Sequence, residues 1–170
     1  MDMEKLKSLT ESLLFVADKP VEVGHLAKAL EVEAAVVEQV LQQLGEEYQR
    51  RGLRLQRRGR QVQIVTAPEA ASYVEKFLGL EQATRLSAAA LETLAIVAYR
   101  QPITRAEIEA IRGVNCDGVL RTLMARELIC EVDRLDQAGR PILYGTTFEF
   151  LRYFGLEDLG KLPEVGEASA

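Results

Sequence analysis

The side chains best suited to catalysis in this 170-residue chain are the thiol of Cys116 and the imidazole of His25. Cys116 stands at the predicted start of a helix, where the positive end of the helix dipole favours a thiolate. Its neighbour Asp117 opposes that effect, and His25 belongs to the other half of the sequence. One histidine and two cysteines, the second being Cys130, supply neither a common metal site nor a disulfide framework. Because a glycine-rich phosphate loop is also missing, we expect no catalytic activity, no cofactor and no metal.

The strongest basic feature is a set of six arginines between Arg50 and Arg60. They fall at the end of a predicted helix and on the hairpin, or wing, that follows it, where guanidinium groups can bind DNA phosphates. The candidate DNA contacts are Arg54, Arg57, Arg58 and Arg60. The helix that would enter the major groove is acidic, since it holds Glu33, Glu38, Glu46 and Glu47. DNA regulation is therefore the alternative function, with binding that would be weak and salt-sensitive.

The overall charge also disfavours nucleic acid as a partner. The net charge is −5, and residues 1–80 hold 11 basic against 12 acidic side chains, while residues 81–170 hold 10 against 14. Proteins that neutralise phosphates are normally basic. No apolar run approaches membrane-spanning length, and the N-terminus lacks a secretory pattern. We therefore expect a cytoplasmic protein that binds neither membranes nor small-molecule substrates.

Hydrophobic periodicity predicts the same order of elements in each half of the chain. In the first half, Leu6, Leu9, Leu13 and Val16 mark one face of a helix. Two further helices and an alternating hairpin over residues 53–64 follow, and a short helix over 69–78 closes the unit. In the second half, Ser87 reads as an N-cap, and Thr104 with Glu107 has capping-box spacing. Gly113 ends the second helix, Asn115 or Asp117 caps the third, and a hairpin surrounds residues 136–140.

The two halves align at a constant offset of 82, which indicates an internal duplication. Leu9 falls on Leu91, Pro20 on Pro102, Leu26 on Ile108 and Leu41 on Leu123. The order helix–strand–helix–helix–hairpin is the winged-helix plan. We predict a mainly α fold with small β-hairpins (α+β), made of two tandem winged-helix domains. Their ranges are 1–80 for the first, 86–160 for the second and 161–170 for a short tail.

Four of the ten aromatic residues lie together in residues 148–154. Core packing accounts for Phe148 and Phe154, together with Leu151. On that assignment Phe150 and Tyr153 lie on the surface and are available to a partner. On the preceding strand, Tyr144 alternates with Leu143, and its hydroxyl is expected at a surface groove.

Three blocks of the second half resemble the bacterial segregation and condensation protein B (ScpB) family. They are residues 86–104, 112–120 and 139–147, and the pairs and triplets at 150–151 and 154–156 extend the third block. The first half resembles the family more loosely, through residues 11–16 and the break at Pro20. Cys116 departs from the pattern, because the family usually has serine or another small polar residue there. The chain also stops at Ala170, so functions of longer tails in the family are not expected here.

The resemblance implies a non-enzymatic accessory subunit of an SMC complex, the assembly that condenses and segregates chromosomes during cell division. Family members dimerise mainly through the first domain, and two copies bind the kleisin subunit, segregation and condensation protein A (ScpA). Leu14 and Phe15 lie off the predicted apolar face of the first helix, so they are the candidate dimer contacts. The candidate kleisin contacts are Arg140, Tyr144, Phe150 and Tyr153. Through the kleisin the protein would reach the SMC ATPase and the nucleoid.

Overall fold

The structure, a computed structural model, describes residues 2–79 and 85–164. The chain divides into two compact units, Met1–Glu81 with Gly155–Ala170, and Gln82–Phe154. Each unit is a winged-helix domain, so the predicted fold is confirmed. The division differs from the predicted ranges at its second boundary, because the chain leaves the second unit after Phe154 and not at residue 160.

The first unit consists of three helices, a hairpin and a short fourth helix. Its elements are α1 (Met3–Val16), β1 (Val21–Glu22), α2 (Val23–Leu30), α3 (Ala34–Tyr48), β2 (Leu53–Arg58), β3 (Gln61–Thr66), a 3-10 turn (Pro68–Ala70) and α4 (Ala71–Leu78). The strands pair antiparallel in the order β1-β3-β2, which leaves β2 at an edge. A second 3-10 turn, Leu159–Lys161, belongs to the returning segment.

The core of the first unit lies among α1, α2 and α3. Val37, Leu41 and Leu26 are each at most 2% exposed. Tyr48 ends α3 at 1% exposure, and its hydroxyl donates to the carboxylate of Glu11 on α1 at 2.6 Å. Burial and this carboxylate raise the pKa of Tyr48, so the phenol stays protonated and the hydrogen bond is kept.

The predicted apolar face of α1 is only partly correct, because Leu6 and the partly buried Leu13 pack in the core while the other two residues do not. Leu9 is 36% exposed and Val16 is 76% exposed, whereas Leu6, Thr10 and Leu14 are buried. Thr10 can face the core because its hydroxyl donates to the carbonyl of Leu6 at 2.8 Å, which satisfies the polar group within the helix. A pattern that counts only apolar residues omits this position and so rotates the face.

The segment that follows the second unit, which includes Leu156 and Glu157, packs along the edge of β2 that no other strand covers. The backbone N–H of Arg57 donates to the carbonyl of Glu157 at 2.7 Å. The Gln56 amide, itself 2% exposed, donates to the carbonyl of Leu156 at 2.8 Å. An unpaired strand edge can pair with another chain. Here the segment fills some of the hydrogen-bonding groups of the β2 edge from within the same unit.

The second unit repeats the helix–strand–helix–helix–hairpin order and ends on a helix. Its elements are α5 (Ala88–Arg100), β4 (Ile103–Thr104), α6 (Arg105–Arg112), α7 (Asp117–Ala125), β5 (Ile129–Arg134), β6 (Ile142–Thr146) and α8 (Phe148–Phe154). The strands pair antiparallel in the order β4-β6-β5, the counterpart of the first sheet.

Two of the predicted helix starts are confirmed. The Ser87 hydroxyl accepts from the N–H of Ala90 at 3.2 Å. Thr104 and Glu107 form a complete capping box, in which each side chain accepts from the other's backbone N–H, at 3.3 and 2.8 Å. The hydrogen bonds from the Thr104 hydroxyl and backbone hold the pKa of Glu107 below its ordinary value. Gly113 ends α6 with a φ of 71°, a conformation that favours glycine.

The predicted cap of α7 is only partly correct. The N-cap residue is Cys116, whose side chain makes no capping bond. The Asn115 side chain instead accepts from the N–H of Asp117 at 3.1 Å. Of the two predicted capping side chains, Asn115 therefore does bind a backbone N–H of the first turn. The Asp117 carboxylate pairs with Arg105 and Arg121 and does not cap the helix.

The duplication is visible in the structure, with one shift. β1 and α2 match β4 and α6 residue for residue at the predicted offset of 82. In the first helices, however, the buried threonines are Thr10 and Thr93, which lie 83 apart. Each donates its hydroxyl to the carbonyl four residues earlier, at 2.8 Å in both units. The predicted pair Leu9 and Leu91 is exposed in both units and does not mark the core.

Candidate protein-binding surfaces

Cys116 is a packed residue and not an accessible nucleophile. Its side chain is fully buried, at 0% exposure. The thiol donates to the carbonyl of Val114 at 3.3 Å, and the Arg112 guanidinium donates to the sulfur at 3.4 Å. This contact with Cys116 is the main cause of a raised Arg112 pKa. A thiol enclosed by its own domain cannot reach a substrate, so the geometry supports a structural role.

His25 lies on the exposed side of α2 and lines a surface pocket together with Asp18, Lys19 and Glu22. Within the described residues no side-chain hydrogen bond or ion pair orients its imidazole as a general base requires. Across residues 2–79 and 85–164, no group of three or more histidine, cysteine, aspartate or glutamate side chains could hold a metal ion. Among the helices of these ranges, none is both long enough and apolar enough to span a bilayer.

Arg54, the first candidate DNA contact, is used by the fold. Its side chain is 12% exposed, and its Nη1 lies 2.8 Å from the carbonyls of both Tyr48 and Arg51. The Tyr48 carbonyl is at the end of α3, where a cation is favoured by the helix dipole, and the Arg51 carbonyl belongs to the turn that follows. The second guanidinium nitrogen pairs with Glu69 at 3.3 Å. Arg54 therefore closes the helix and is not available to a phosphate.

The second candidate, Arg57, is also paired within its own unit. Its Nη2 lies 2.7 Å from the carboxylate of Glu38 on α3. Both residues line a groove of about 480 Å³ between α3 and the wing, whose other charged residues are Glu46, Glu157 and Asp158. This groove holds four carboxylates and one guanidinium. Duplex DNA would be repelled from the face that a winged helix normally turns towards it.

Arg58, which is partly buried, and Arg60, which is exposed, are the two candidates without an ion-pair partner among the described residues. They flank Gly59, which turns the hairpin with a φ of 58°. Two unpaired cations at a loop tip are too few for tight binding to phosphates. The basic cluster of the sequence is thus divided by the fold into structural and solvated arginines.

The two candidate dimer residues on α1 have opposite environments. Leu14 is 4% exposed and belongs to the core, so its assignment to a surface is wrong. Phe15 is 87% exposed and Val16 is 76% exposed. Exposed aromatic and β-branched side chains side by side are typical of a protein-binding surface.

A pocket of about 550 Å³ adjoins this end of α1. Most of its wall is apolar and is contributed by α1, the following turn and α2. The apolar residues are Leu13, Val16, Ala17, Pro20, Val21, Leu26 and Ala29. The first unit therefore presents a projecting phenyl ring next to an open apolar depression.

A second exposed apolar surface lies on α4 and was not predicted from the sequence. Tyr73 is 73% exposed, Phe77 is 89% exposed and Leu78 is 59% exposed, and α4 has no buried residue. An isolated helix of eight residues is marginal in water, so an apolar face left in solvent suggests a partner. The sequence signal for this surface was the spacing of four between Tyr73 and Phe77, because residues four apart lie on the same side of a helix.

In the second unit, the predicted division of the α8 aromatics between core and surface is wrong for Phe150 and Phe154. Phe150 is 2% exposed and Leu151 is 0% exposed, so Phe150 is a core residue and its prediction as a partner contact is wrong. Tyr153 is 42% exposed, as predicted, and Phe154 is 43% exposed although core packing was expected for it. The three rings form a cluster, with Phe154 centred 5.0 Å from both Phe150 and Tyr153.

Tyr144 and Arg140 meet at one pocket on the wing of the second unit. The pocket has a volume of about 350 Å³, and its other lining residues are Arg105, Ala106, Arg134, Gly139, Pro141 and Ile142. Tyr144 is 8% exposed and forms part of the wall. Burial, with the charge of Glu131 as a further cause, raises the pKa of Tyr144, so the hydroxyl is a neutral hydrogen-bonding group.

These features define a tandem winged-helix protein whose open surfaces suit contact with other proteins. The family model described as "Segregation and condensation complex subunit ScpB" matches residues 8–165. The chain belongs to this family, whose members act in chromosome segregation and condensation.

Individual relatives match over nearly the whole chain. The segregation and condensation protein B of Desulforamulus reducens is 49% identical, over 96% of this chain and 91% of that protein. The protein of the same name from Moorella thermoacetica is 50% identical, over 98% of this chain and 86% of its own length.

Two solved structures are similar to parts or all of the chain. The crystal structure of ScpB from Mycobacterium tuberculosis is 44% identical and covers 92% of this chain and 98% of that chain, with a TM-score of 0.45. A dimer of the ScpB N-terminal domain complexed with a ScpA peptide is 27% identical and covers 44% of this chain and 96% of that chain, with a TM-score of 0.42.

Proposed function

We propose that this protein is a non-enzymatic accessory subunit that forms a homodimer and binds the kleisin of a bacterial SMC complex in the cytoplasm. The observation that carries the proposal is the match to the ScpB family over residues 8–165. A ScpB N-terminal domain is described as a dimer with a ScpA peptide, which agrees with both parts of the proposal. Through the kleisin, the subunit would act on the chromosome together with the SMC ATPase.

The dimer is assigned to the end of α1. A two-fold interface brings the same patch of both copies together, so a self-complementary patch is required. Phe15 projects as an exposed ring, and its neighbour Val16 lines the apolar pocket. In a two-fold pair, each Phe15 would enter the pocket of the other copy. Buried aromatic side chains in pockets are the usual energetic centres of such interfaces.

Kleisin binding is assigned in part to the second unit, in addition to the N-terminal domain, the part of ScpB that is complexed with a ScpA peptide in the similar structure. In the second unit, the exposed aromatic Tyr153 and the pocket of Tyr144 and Arg140 offer apolar and polar contacts. This is the combination found in the core and rim of protein interfaces. Phe150 no longer belongs to this set, because it lies in the core. The absence of an accessible nucleophile at Cys116 agrees with a binding role.

Sedimentation of the wild-type chain and two matched variants tests the dimer assignment. Phe15→Glu places a charge in the proposed interface and should give monomers. Phe77→Glu makes the same change at an equally exposed phenylalanine and should leave the dimer intact. Monomers from Phe77→Glu and dimers from Phe15→Glu would move the interface to α4 and contradict the assignment.

Kleisin binding is tested by mixing the full chain with the kleisin and measuring the dissociation constant by calorimetry. We expect the titration of the wild-type chain to show heat release or uptake that saturates as a single binding event. Chains that remain separate at micromolar concentrations of both proteins would contradict the proposed function.

A further inference from the structure

The pocket on the wing of the second unit has an unusual charge distribution. Its lining includes the guanidinium groups of Arg105, Arg134 and Arg140, and no carboxylate. The carboxylates that pair with two of these arginines belong to residues outside the lining. The electrostatic character of the opening is therefore set by the arginines that face it.

Two of the arginines are held in place by these outer carboxylates. Arg105 lies 3.1 Å from Asp117, and Arg134 lies 3.5 Å from Glu131. Both side chains remain about half exposed, with 52% and 49% of their surface in solvent. Pairs of this kind fix a guanidinium group while leaving other N–H donors free for a ligand.

Arg140 is the uncompensated charge of the pocket. It is exposed and makes no side-chain hydrogen bond or ion pair within the described residues. Its backbone φ is 38°, in the left-handed region that favours glycine over a long side chain. The backbone is kept there by its N–H, which donates to Gln137 at 2.8 Å, and by its carbonyl, which accepts from Arg134 at 3.4 Å. A strained conformation is thus retained at the position that supplies the free guanidinium.

The remaining wall of the pocket is apolar. Pro141, Ile142 and the ring of Tyr144 lie beside the arginines. A ligand that satisfies both parts needs a carboxylate for the guanidinium groups and an adjacent apolar group for this wall. A peptide segment in which an acidic residue stands next to a hydrophobic one has that chemistry.

We infer that this pocket binds an acidic side chain of a kleisin segment, with a neighbouring hydrophobic side chain against Pro141, Ile142 and Tyr144. The inference rests on the proposed function, because it specifies how the kleisin is recognised. Arg140 is the principal contact, since its charge is not offset within the unit. Arg105 and Arg134 form the preorganised part of the site.

The test is the affinity of the full kleisin for the wild-type chain and three variants. Arg140→Gly removes the guanidinium and suits the backbone, since glycine adopts a φ of 38° without strain. We expect the dissociation constant to rise about tenfold or more, as for the loss of one charge-assisted hydrogen bond. Arg134→Gln should weaken binding less, and Arg100→Glu, an exposed site of the same unit outside the pocket, should change it by less than about twofold.

The identity of the ligand group is tested from the kleisin side. Replacing acidic residues of the bound kleisin segment one at a time by their amides should reveal one position whose loss has no further effect on the Arg140→Gly variant. Equal affinity of the wild-type chain and Arg140→Gly would overturn the pocket while leaving the proposed function intact. A wild-type chain that does not bind the kleisin at all would overturn both.

Discussion

The Arg57 guanidinium lies 2.7 Å from the carboxylate of Glu38, so the wing and the third helix of the first unit neutralise each other. This pair decides how the basic cluster of the sequence is interpreted. In a DNA-binding winged helix, wing and recognition helix would both present cations to the phosphates. Here the helix supplies the counter-charge, and the groove between the two elements has an excess of carboxylates.

The first prediction is that the protein does not bind duplex DNA at about 0.15 M salt. The unpaired candidates, Arg58 and Arg60, are too few to offset the acidic groove. Fluorescence anisotropy with a labelled duplex should give no saturable binding, and the double variant Arg58→Glu with Arg60→Glu should bind kleisin as the wild type does. Saturable DNA binding that this double variant abolishes would support the alternative function.

Substitutions at the adjacent residues Leu14 and Phe15 should affect different properties, the first the stability of the fold and the second the dimer. Leu14→Ala removes a core side chain and should cost about 2–5 kcal/mol of unfolding free energy. Phe15→Ala should weaken the dimer but leave the unfolding of the monomer within about 0.5 kcal/mol. Urea unfolding at low protein concentration, with sedimentation in parallel, measures both effects. A stable monomeric Leu14→Ala variant would contradict the burial of this residue.

The ring cluster of α8 gives a second matched comparison. Phe150→Ala should cost about 3–5 kcal/mol, because the ring is buried. Tyr153→Ala should cost about 1 kcal/mol or less, because nearly half of that side chain is in solvent. Thermal unfolding monitored by circular dichroism distinguishes the two. Similar losses for both variants would mean that the core and surface positions on this helix are wrongly assigned.

The capping box of α6 should contribute a pH-dependent term to stability. Because the folded-state pKa of Glu107 is lower than its ordinary value of 4.5, its ionised form stabilises the fold above about pH 4.5. That contribution is lost as the pH falls through the lower folded-state pKa. Glu107→Gln has no proton to take up, so its urea midpoint should fall less than that of the wild type under acid. Parallel pH profiles for the two proteins would contradict this assignment.

Much of the fold could be predicted from the sequence because its signals are local. The capping box and Gly113 each depend on residues within a few positions, and both lie where they were expected. The duplication supplied a second, independent reading of the same element order. The faces of α1 and α8 were less predictable, because apolar residues surround much of each helix and tertiary packing selects among them.

The surfaces depended on tertiary contacts that hydrophobic periodicity does not report. Arg54 binds the carbonyl of Tyr48, six residues earlier, because the chain turns back between α3 and β2, and Arg57 pairs with Glu38, 19 residues away. The return of Glu157 to the edge of β2 spans a hundred residues, and periodicity carries no information about it. Arg140 and Tyr144 were predicted as contacts, but the pocket that joins them with Arg105 and Arg134 required the three-dimensional structure.

The mass of the complex in solution tests the central proposal most directly. Multi-angle light scattering on the full chain, alone and after mixing with the kleisin, should give twice the mass of one chain for the free protein. The mixture should give a single species with two copies of this chain and one kleisin. A free protein at the mass of one chain that elutes separately from the kleisin at every ratio would contradict the account.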